Sequence, residues 1–242
     1  MTSAVVECVP NFSEGRDPAV IAQIVDAIAA IGVQVLNVDP GADTNRTVVT
    51  FVGSPDAVVA GAFAGVAKAA EVIDMTTQSG AHPRMGATDV CPFAPVEGIT
   101  LDECADLARR LGQRVGDELG IPVYLYEAAA APERRNLATV RRGEYDDLAE
   151  KMADPRWAPD FDPAAPHPRA GALITGAREF LIAYKASQHV VRSSLRLGGR
   201  NGNSQLTPNS VWIWSWPGVW RIQVPGYGPR EAQLQVVLIA WS

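Results

Sequence analysis

Apolar and polar residues follow two regular patterns over the first 130 residues, and these patterns predict an ordered series of strands and helices. Runs rich in β-branched residues, bounded by Gly, Pro, Asp or Asn, are typical of strands. Such runs predict strands at residues 4–9, 33–38, 47–52, 89–96 and 123–126. The turn-rich segment 39–43 separates the second strand from the third and indicates that they are neighbours in the chain without a helix between them.

Three helices are predicted between these strands, each from a start signal followed by apolar residues at helical spacing. The start signals are Asp17-Pro18 for the first helix, Ser54-Pro55-Asp56 for the second and the capping box Thr100 to Glu103 for the third. Gly32 ends the first helix. The expected core faces are Val20, Ile21, Ile24, Val25 and Ile28 in the first helix, Val59, Phe63, Val66 and Ala70 in the second, and Leu101, Cys104, Leu107, Leu111 and Val115 in the third.

The order of these elements defines the fold class. It reads βαββαβ with one additional helix and strand, which is the order of a ferredoxin-like sandwich. We therefore predict an α+β fold in which helices cover one side of a sheet.

The amino-acid composition changes abruptly near residue 185. Residues 1–184 hold 26 of the 27 acidic groups and 15 of the 21 basic groups, whereas residues 185–242 hold one acidic group and six basic groups. Five of the six tryptophans also lie in residues 185–242, four of them in the segment 211–220, which has no clear helical face. We therefore predict two parts, a domain at 1–184 and a tail of different character at 185–242.

The overall composition indicates which binding partners and which cellular compartment to expect. The chain has 242 residues, 47% of them hydrophobic, and a formal net charge of −6, which argues against a general nucleic-acid surface. Three scattered cysteines favour a reducing compartment over a disulfide framework. The first residues lack a signal-peptide pattern, and no apolar run reaches the length of a membrane span. We expect a cytoplasmic protein without a membrane partner.

The strongest candidate chemistry lies in the segment 79–93. His82 stands among Gly80, Pro83 and Gly86, residues that favour a loop, immediately before the predicted strand 89–96. A histidine titrates near neutral pH and can move protons. Arg84, two residues further on, can bind an anion.

Read with its neighbours, this segment resembles the formiminotransferase family of folate-dependent glutamate formimidoyltransferases. The resemblance is carried, in family order, by VECVPNFSEG at 6–15, VDPG at 38–41, TNRT at 44–47, TFVG at 50–53, HPRMG at 82–86, PVYLY at 122–126, GEY at 143–145, WAPD at 157–160 and TGAR at 175–178. It extends over roughly residues 5–184, which corresponds to the family's N-terminal subdomain. Nothing in residues 185–242 matches the second subdomain of the family.

The resemblance implies transfer of a formimino group from N-formimino-L-glutamate to N5 of tetrahydrofolate, the co-substrate, in histidine degradation. His82 is the matching position for the general acid and base. Asp39, at a strand end, either orients His82 or caps a turn. Arg46 and Arg84 either bind the carboxylates of the donor or form structural ion pairs.

The remaining candidate residues also have two interpretations each. Asn11 and Asn45 either place amide groups on the pterin or substrate or serve as turn residues. Arg169 and Gly171 lie in the segment 163–172, which matches a folate-contacting loop of the family but whose proline content also suits a linker. Arg178 ends the last matching motif and is a further candidate for substrate binding. His167 is expected in an exposed loop, and His189 lies in the tail.

Other functions and sites have weaker support. The chain contains no dinucleotide or phosphate-loop fingerprint, no convincing metal-ligand spacing and no nucleophile elbow. The alternatives that stay open are formyl transfer between 5-formyltetrahydrofolate and glutamate, and a folate-binding protein or inactive fragment without turnover. A homodimer is an open alternative to a monomer. The tail is either an out-of-frame translation or a divergent β-rich extension, so the second subdomain is atypical or incomplete.

Overall fold

The computed structural model of the chain describes residues 4–132, 136–161 and 163–179, together with the backbone of strands Trp212–Trp216 and Val219–Gln223. The chain divides into two compact units, residues 1–180 and 181–241. The strands of the first unit are β1 (Val5–Cys8), β2 (Asn11–Phe12), β3 (Gln34–Gly41), β4 (Arg46–Gly53), β5 (Thr88–Glu97), β6 (Val123–Glu127) and β7 (Leu173–Ala177). Its helices are α1 (Pro18–Ala29), α2 (Pro55–Val72), α3 (Leu101–Leu119), α4 (Leu137–Arg141) and α5 (Leu148–Ala153), and a single 3₁₀ turn covers Pro155–Trp157.

The seven strands form one mixed sheet with the spatial order β3, β4, β1 with β2, β5, β7, β6. The first four positions are antiparallel and reproduce the strand order of a ferredoxin-like sandwich. Strands β5, β7 and β6 run parallel to one another and extend that sheet at one edge. The predicted α+β class is confirmed, with β6 as the predicted additional strand. Strand β7, which the sequence analysis did not identify, lies between β5 and β6.

Helices α1, α2 and α3 cover one face of the sheet, as predicted. Alternate residues of the strands, such as Cys8, Phe51 and Phe93, share one core with Ile28 of α1 and Leu111 of α3. The caps agree with the start signals in the sequence. The Asp17 carboxylate accepts the N–H groups of Ala19 and Val20, and the capping box of Thr100 and Glu103 is complete.

The opposite face of the sheet is not bare, which corrects the prediction of helices on one side only. Tyr124 and Tyr126 of β6 and Ile174 of β7 point away from the first core, because side chains alternate along a strand. They form a second core with Val140 of α4 and Leu148 of α5. These two short helices were not predicted, and they cover β6 and β7 on the face of the sheet opposite α1, α2 and α3.

The predicted core face of α2 is correct only in part. Val59 and Val66 are buried, and Phe63 and Ala70 are half-buried and pack against the same core. The other buried residues of α2 are Val58, Gly61, Ala62, Gly65 and Ala69. Helices α1 and α2 approach closely at Gly65, where a Cβ atom would lie 2.9 Å from Ile28. The guanidinium of Arg114 lies 3.6 Å from the ring centre of Phe63 and covers the exposed part of that ring.

The second unit is described only through β8 (Trp212–Trp216) and β9 (Val219–Gln223), which pair antiparallel as a short hairpin. His189 lies outside the described residues.

Candidate active site

The site lies on the sheet face opposite α1 to α3, where the loop between α2 and β5 passes the start of β4. Arg46 is the first residue of β4 and projects to this face, because Val49 and Phe51 of the same strand point to the helices. Asn11 projects to the same face from β2, since Phe12 beside it belongs to the helix-side core. Loop residue His82 meets them there, with 9% of its surface exposed.

The contacts of His82 define its protonation and tautomer. Its Nδ1 lies 2.7 Å from the carbonyl oxygen of Pro83, which can only accept, so Nδ1 carries the proton. Its Nε2 receives a hydrogen bond from Nη1 of Arg46, which can only donate. His82 is therefore a neutral imidazole whose Nε2 has a lone pair directed at the guanidinium. Nη2 of Arg46 donates to Oδ1 of Asn11, so the three side chains form one network.

The electrostatic setting keeps His82 neutral. Burial lowers the pKa of His82 below its ordinary value of 6.5, and the positive charge of Arg46 lowers this pKa further. Burial also lowers the pKa of Arg46, to about 10, so its guanidinium is still protonated at neutral pH. The described hydrogen bonds of Arg46 go to neutral groups, and its Nε is buried without a partner among the described atoms. A buried cation in these surroundings favours an anionic ligand.

A second guanidinium lines the same cleft. A narrow cavity of about 10 Å³ is bounded by Ser13, Thr44, Asn45, Arg46, Gln78, His82, Pro83, Arg84 and Asp89. Nη2 of Arg84 donates to the carbonyl of Gln78 at 3.0 Å, and its Nη1 lies 3.7 Å from the Glu144 carboxylate. Its Nε is buried without a partner among the described atoms. Arg84 thus forms a loose ion pair and keeps donor capacity at the cavity.

Asn45 braces the site through its backbone neighbours. It adopts φ +49°, a left-handed conformation that asparagine tolerates better than most residues. Its Oδ1 accepts the N–H of Gly15 at 3.0 Å, and its Nδ2 donates to the carbonyl of Ser79 at 2.9 Å. Both ends of the amide are engaged by backbone, which favours the interpretation as a turn residue.

The segment around Gly171 packs against the His82 loop and is not a free linker. The N–H of Ala87 donates to the carbonyl of Ala170, and the N–H of Ala172 donates to the carbonyl of Met85. Gly171 has φ +68°, and a Cβ there would lie 2.3 Å from the Met85 oxygen. Nε of Arg169 donates to the Asp74 carboxylate at 3.2 Å, so Arg169 ties this segment to the beginning of the same loop.

His167 closes the turn of that segment. Its Nδ1 accepts the N–H groups of Arg169 and Ala170, at 3.3 and 2.9 Å. It is half-buried and not fully exposed as predicted. Its ring therefore has a structural function in the turn.

Two predicted site residues lie apart from this cluster. Asp39 is paired with Val48 in the β3–β4 ladder, on the same face as Arg46, but it is not among the hydrogen-bond partners described for His82. Arg178 follows β7, and its N–H donates to Phe93, towards the opposite end of β5 from the His82 loop. Their predicted roles stay predictions.

Sequence reasoning missed two buried charged residues beside the site, Asp89 and Arg141. They form a buried ion pair with an N–O distance of 2.9 Å, and Asp89 lines the cavity that contains His82. A signal for Asp89 was present, because it is the single charged residue in the otherwise uncharged run 88–96 of a predicted core strand, and a buried charge is rarely placed without a function. Arg141 carried no comparable signal, since α4 itself was not predicted.

The comparisons with known proteins agree with this architecture. The formiminotransferase domain, N-terminal subdomain, matches residues 5–178. The chain belongs to the formiminotransferase family.

Relatives from distant organisms are similar over most of the chain. Formimidoyltransferase-cyclodeaminase of Gallus gallus is 51% identical over 207 residues, covering 82% of this chain and 38% of that protein. Glutamate formimidoyltransferase of Thermoplasma acidophilum is 48% identical over 199 residues, covering 81% of this chain and 65% of that protein. The corresponding protein of Streptococcus pyogenes is 46% identical over 185 residues, covering 76% and 62%. This chain therefore spans less than two thirds of the length of these relatives.

None of the described helices has both the length and the apolar character needed to cross a bilayer. The described residues also contain no group of three or more His, Cys, Asp or Glu side chains arranged to hold a metal ion.

Proposed function

We propose that this chain acts in folate-dependent formimino transfer, from N-formimino-L-glutamate to N5 of tetrahydrofolate, as part of histidine degradation. The observation that supports this most strongly is the neutral His82, with a proton-accepting Nε2, against a buried and positively charged Arg46. A base and a carboxylate-binding cation side by side suit a substrate that carries both an acidic group and a reacting nitrogen.

The proposed reaction needs one proton to be moved twice. N5 of tetrahydrofolate attacks the formimino carbon and loses its proton as the new C–N bond forms. Nε2 of His82 accepts this proton, and the tetrahedral carbon then bears three nitrogens: N5, the glutamate nitrogen and the former imino nitrogen, which was protonated in the amidinium form of the donor and becomes a neutral amino group. The same proton passes to the glutamate nitrogen as its bond to that carbon breaks, so glutamate leaves as a neutral amine and His82 returns to its starting form.

Arg46 and Arg84 are proposed to bind the carboxylates of the formiminoglutamate donor. A carboxylate accepts two parallel hydrogen bonds from a guanidinium, and the Nε atoms of both arginines are buried donors without described partners. Binding would draw Nη1 of Arg46 away from His82 and free Nε2 for the proton of N5. In this way the donor substrate would uncover the base at the moment at which it is needed.

An assay of the full chain with tetrahydrofolate and formiminoglutamate tests this proposal. We expect His82→Ala to lower transfer by about 10²-fold or more, the range for a general acid-base residue, with an unchanged fold by circular dichroism. Arg84→Gln should raise KM for formiminoglutamate by about 10-fold or more, since it removes charged hydrogen bonds. Arg109→Ala, which removes an arginine on the outer surface of α3, is the matched control and should behave as the parent.

Three outcomes would overturn it. Transfer by His82→Ala within a few-fold of the parent would exclude the acid-base role. Tetrahydrofolate binding by calorimetry without turnover would favour a folate-binding protein. Turnover with 5-formyltetrahydrofolate and glutamate, but not with formiminoglutamate, would favour the formyl transfer alternative.

A further inference from the structure

Asp89 lies next to the His82 loop because of an irregularity in the sheet. Asn11 of β2 pairs with Val90 and Phe12 pairs with Thr88, so Asp89 is the extra residue of a β-bulge. A bulge redirects the side chain of the inserted residue, and such bulges occur often beside functional sites. Here it brings a carboxylate to the wall of the cavity that His82 and Arg46 also line.

The two oxygens of Asp89 have different partners. Oδ1 accepts the N–H of Met85 at 3.0 Å and thereby holds the loop three residues after His82. Oδ2 accepts a hydrogen bond from Nη2 of Arg141 at 2.9 Å. The side chains of Asp89 and Arg141 are only 2% and 7% exposed, so this is a buried ion pair. Arg141 is the last residue of α4, and the pair connects this helix to the site.

A buried ion pair is a poor way to gain stability. Removing two charges from water costs several kcal/mol per ion, and well-packed apolar residues often stabilise a core as well or better. Either side of this pair already has apolar packing available, from Leu137 and Val140 of α4 and from Val90 of β5. The pair is therefore better explained by what its charges do at the neighbouring cavity.

We propose that Asp89 and Arg141 are positioning residues for His82: Asp89 fixes the end of the His82 loop and supplies a negative charge to the cavity, and Arg141 holds that carboxylate in place. The inference rests on the proposed function only in treating His82 as the proton-transferring group. Neither residue needs to touch substrate.

Charged groups from several elements surround His82. They are Arg46 from β4, Asp89 from β5, Arg141 from α4, and Arg84 of the same loop with its partner Glu144. The charge of Asp89 raises the pKa of His82, and the charge of Arg141 lowers it by a smaller effect, against the dominant lowering by burial and Arg46. Asp89 likewise raises the pKa of Arg46, and Arg141 lowers it. The pair thus adjusts the charge balance of the whole cavity.

Direct titration of His82 by long-range ¹H–¹⁵N NMR on the ¹⁵N-labelled full chain tests this inference. The chain has three histidines, so the His82→Gln spectrum assigns the signal, and the method reports tautomer and pKa together. We expect the pKa of His82 to fall in Asp89→Asn and to rise in Arg141→Gln. In the double variant it should lie between those of the single variants and slightly below that of the parent. Arg142→Gln removes the same charge from the exposed neighbouring residue and should leave the titration unchanged.

The opposite directions separate this proposal from a purely structural role. If the pair only supported the fold, both single variants would loosen the loop and move the pKa of His82 up towards 6.5. Where a single variant unfolds, the double variant decides, because it replaces the ions by a neutral hydrogen-bonding pair of similar size. A rise of the pKa in the folded double variant, or equal titrations of Arg141→Gln and Arg142→Gln, would overturn the inference. The titration needs no substrate, so failure of the transfer assay leaves it interpretable.

Discussion

The neutral state of His82 has a direct consequence for the pH dependence of activity. A histidine in an unfolded chain is half protonated at pH 6.5. Because burial and Arg46 lower the pKa of His82, its imidazole in the folded protein stays mainly in the neutral, basic form at this pH. We expect kcat/KM for formimino transfer to stay level from pH 8 to about 6.5 and to fall only at lower pH. A pH profile of the full chain gives the measurement. His167→Gln should leave the position of this acid limb unchanged, and an acid limb above pH 6.5 would contradict the assignment.

The same shift affects stability with a defined sign. Between pH 6.5 and the lowered pKa of His82, the unfolded chain binds more protons than the folded chain, so the free energy of unfolding decreases as the pH falls through this window. The stability associated with the neutral His82 is fully present above pH 6.5 and is lost as the pH falls through the lowered pKa. His167, whose pKa burial also lowers, contributes in the same direction, and the two are separated by comparing the pH dependence of His82→Gln and His167→Gln.

Asn45 combines a left-handed backbone with two side-chain hydrogen bonds that hold the walls of the cavity. We expect Asn45→Ala to lower the free energy of unfolding by about 2 kcal/mol. The variant loses one buried and one partly buried hydrogen bond, and alanine tolerates the positive φ less well than asparagine. Asn45→Gly keeps the backbone freedom and loses only the hydrogen bonds, so it should be less destabilised. Urea denaturation of the three proteins measures both effects. Equal stability of Asn45→Ala and the parent would show that the amide is free to bind substrate.

At the level of elements, the site depends on the contact between the His82 loop and the segment that contains Gly171. Gly171→Ala places a Cβ against the Met85 carbonyl and also strains a positive φ. Gly120, at the C-terminal end of α3, has nearly the same φ, +61°, with nothing within 4 Å of its Cβ position. Gly120→Ala therefore measures the backbone penalty alone, about 1 to 2 kcal/mol.

We expect Gly171→Ala to cost more free energy of unfolding than Gly120→Ala and to reduce transfer, whereas Gly120→Ala reduces stability only. The reason is that the Met85 carbonyl belongs to the loop that positions His82, and Gly120 lies outside the site. Thermal unfolding and transfer kinetics on both variants provide the comparison. If the two variants lost the same stability and kept the same activity, the close packing of this segment would have no functional consequence.

The elements also show which features of the fold can be predicted from sequence. The capping box of α3 and the alternation in β4 are local, so their signals survive in the sequence. Strand β7 has a short apolar run, Ala172 to Ile174, followed by Thr175 and Gly176, and a buried parallel strand cannot be separated from other apolar runs by periodicity. The family resemblance selected His82, Arg46 and Arg84 as candidates, and the structure places all three around one cavity. The Asp89–Arg141 pair joins residues 52 positions apart through a bulge and a five-residue helix, and neither feature has a reliable local signal.

On the scale of the whole molecule, the family match, the contact division and the composition all place a boundary between residues 178 and 185. Among the residues whose burial the structure describes, 4–132, 136–161 and 163–179, both hydrophobic cores lie between Val6 and Ala177, and the family match covers residues 5–178. The contact division at residue 180 and the change of charge near residue 185 fall close together. We therefore propose that residues 1–184 are a formiminotransferase N-terminal subdomain that folds independently of residues 185–242.

Limited proteolysis of the full chain tests this proposal with two enzymes of different specificity. Trypsin has targets in both parts, since 15 of the 21 basic residues precede residue 185. Chymotrypsin cleaves after aromatic residues and also has targets in both parts, because all six phenylalanines precede residue 185 and five of the six tryptophans follow it. If the first part folds independently, both proteases should trim the chain to a resistant fragment that ends near residue 184, because cleavage requires local unfolding and the two cores oppose it. Mass spectrometry identifies the fragment, and its unfolding transition should match one transition of the parent. A full-length chain that resists both proteases and unfolds in one cooperative step would instead mean that residues 185–242 complete the same folding unit.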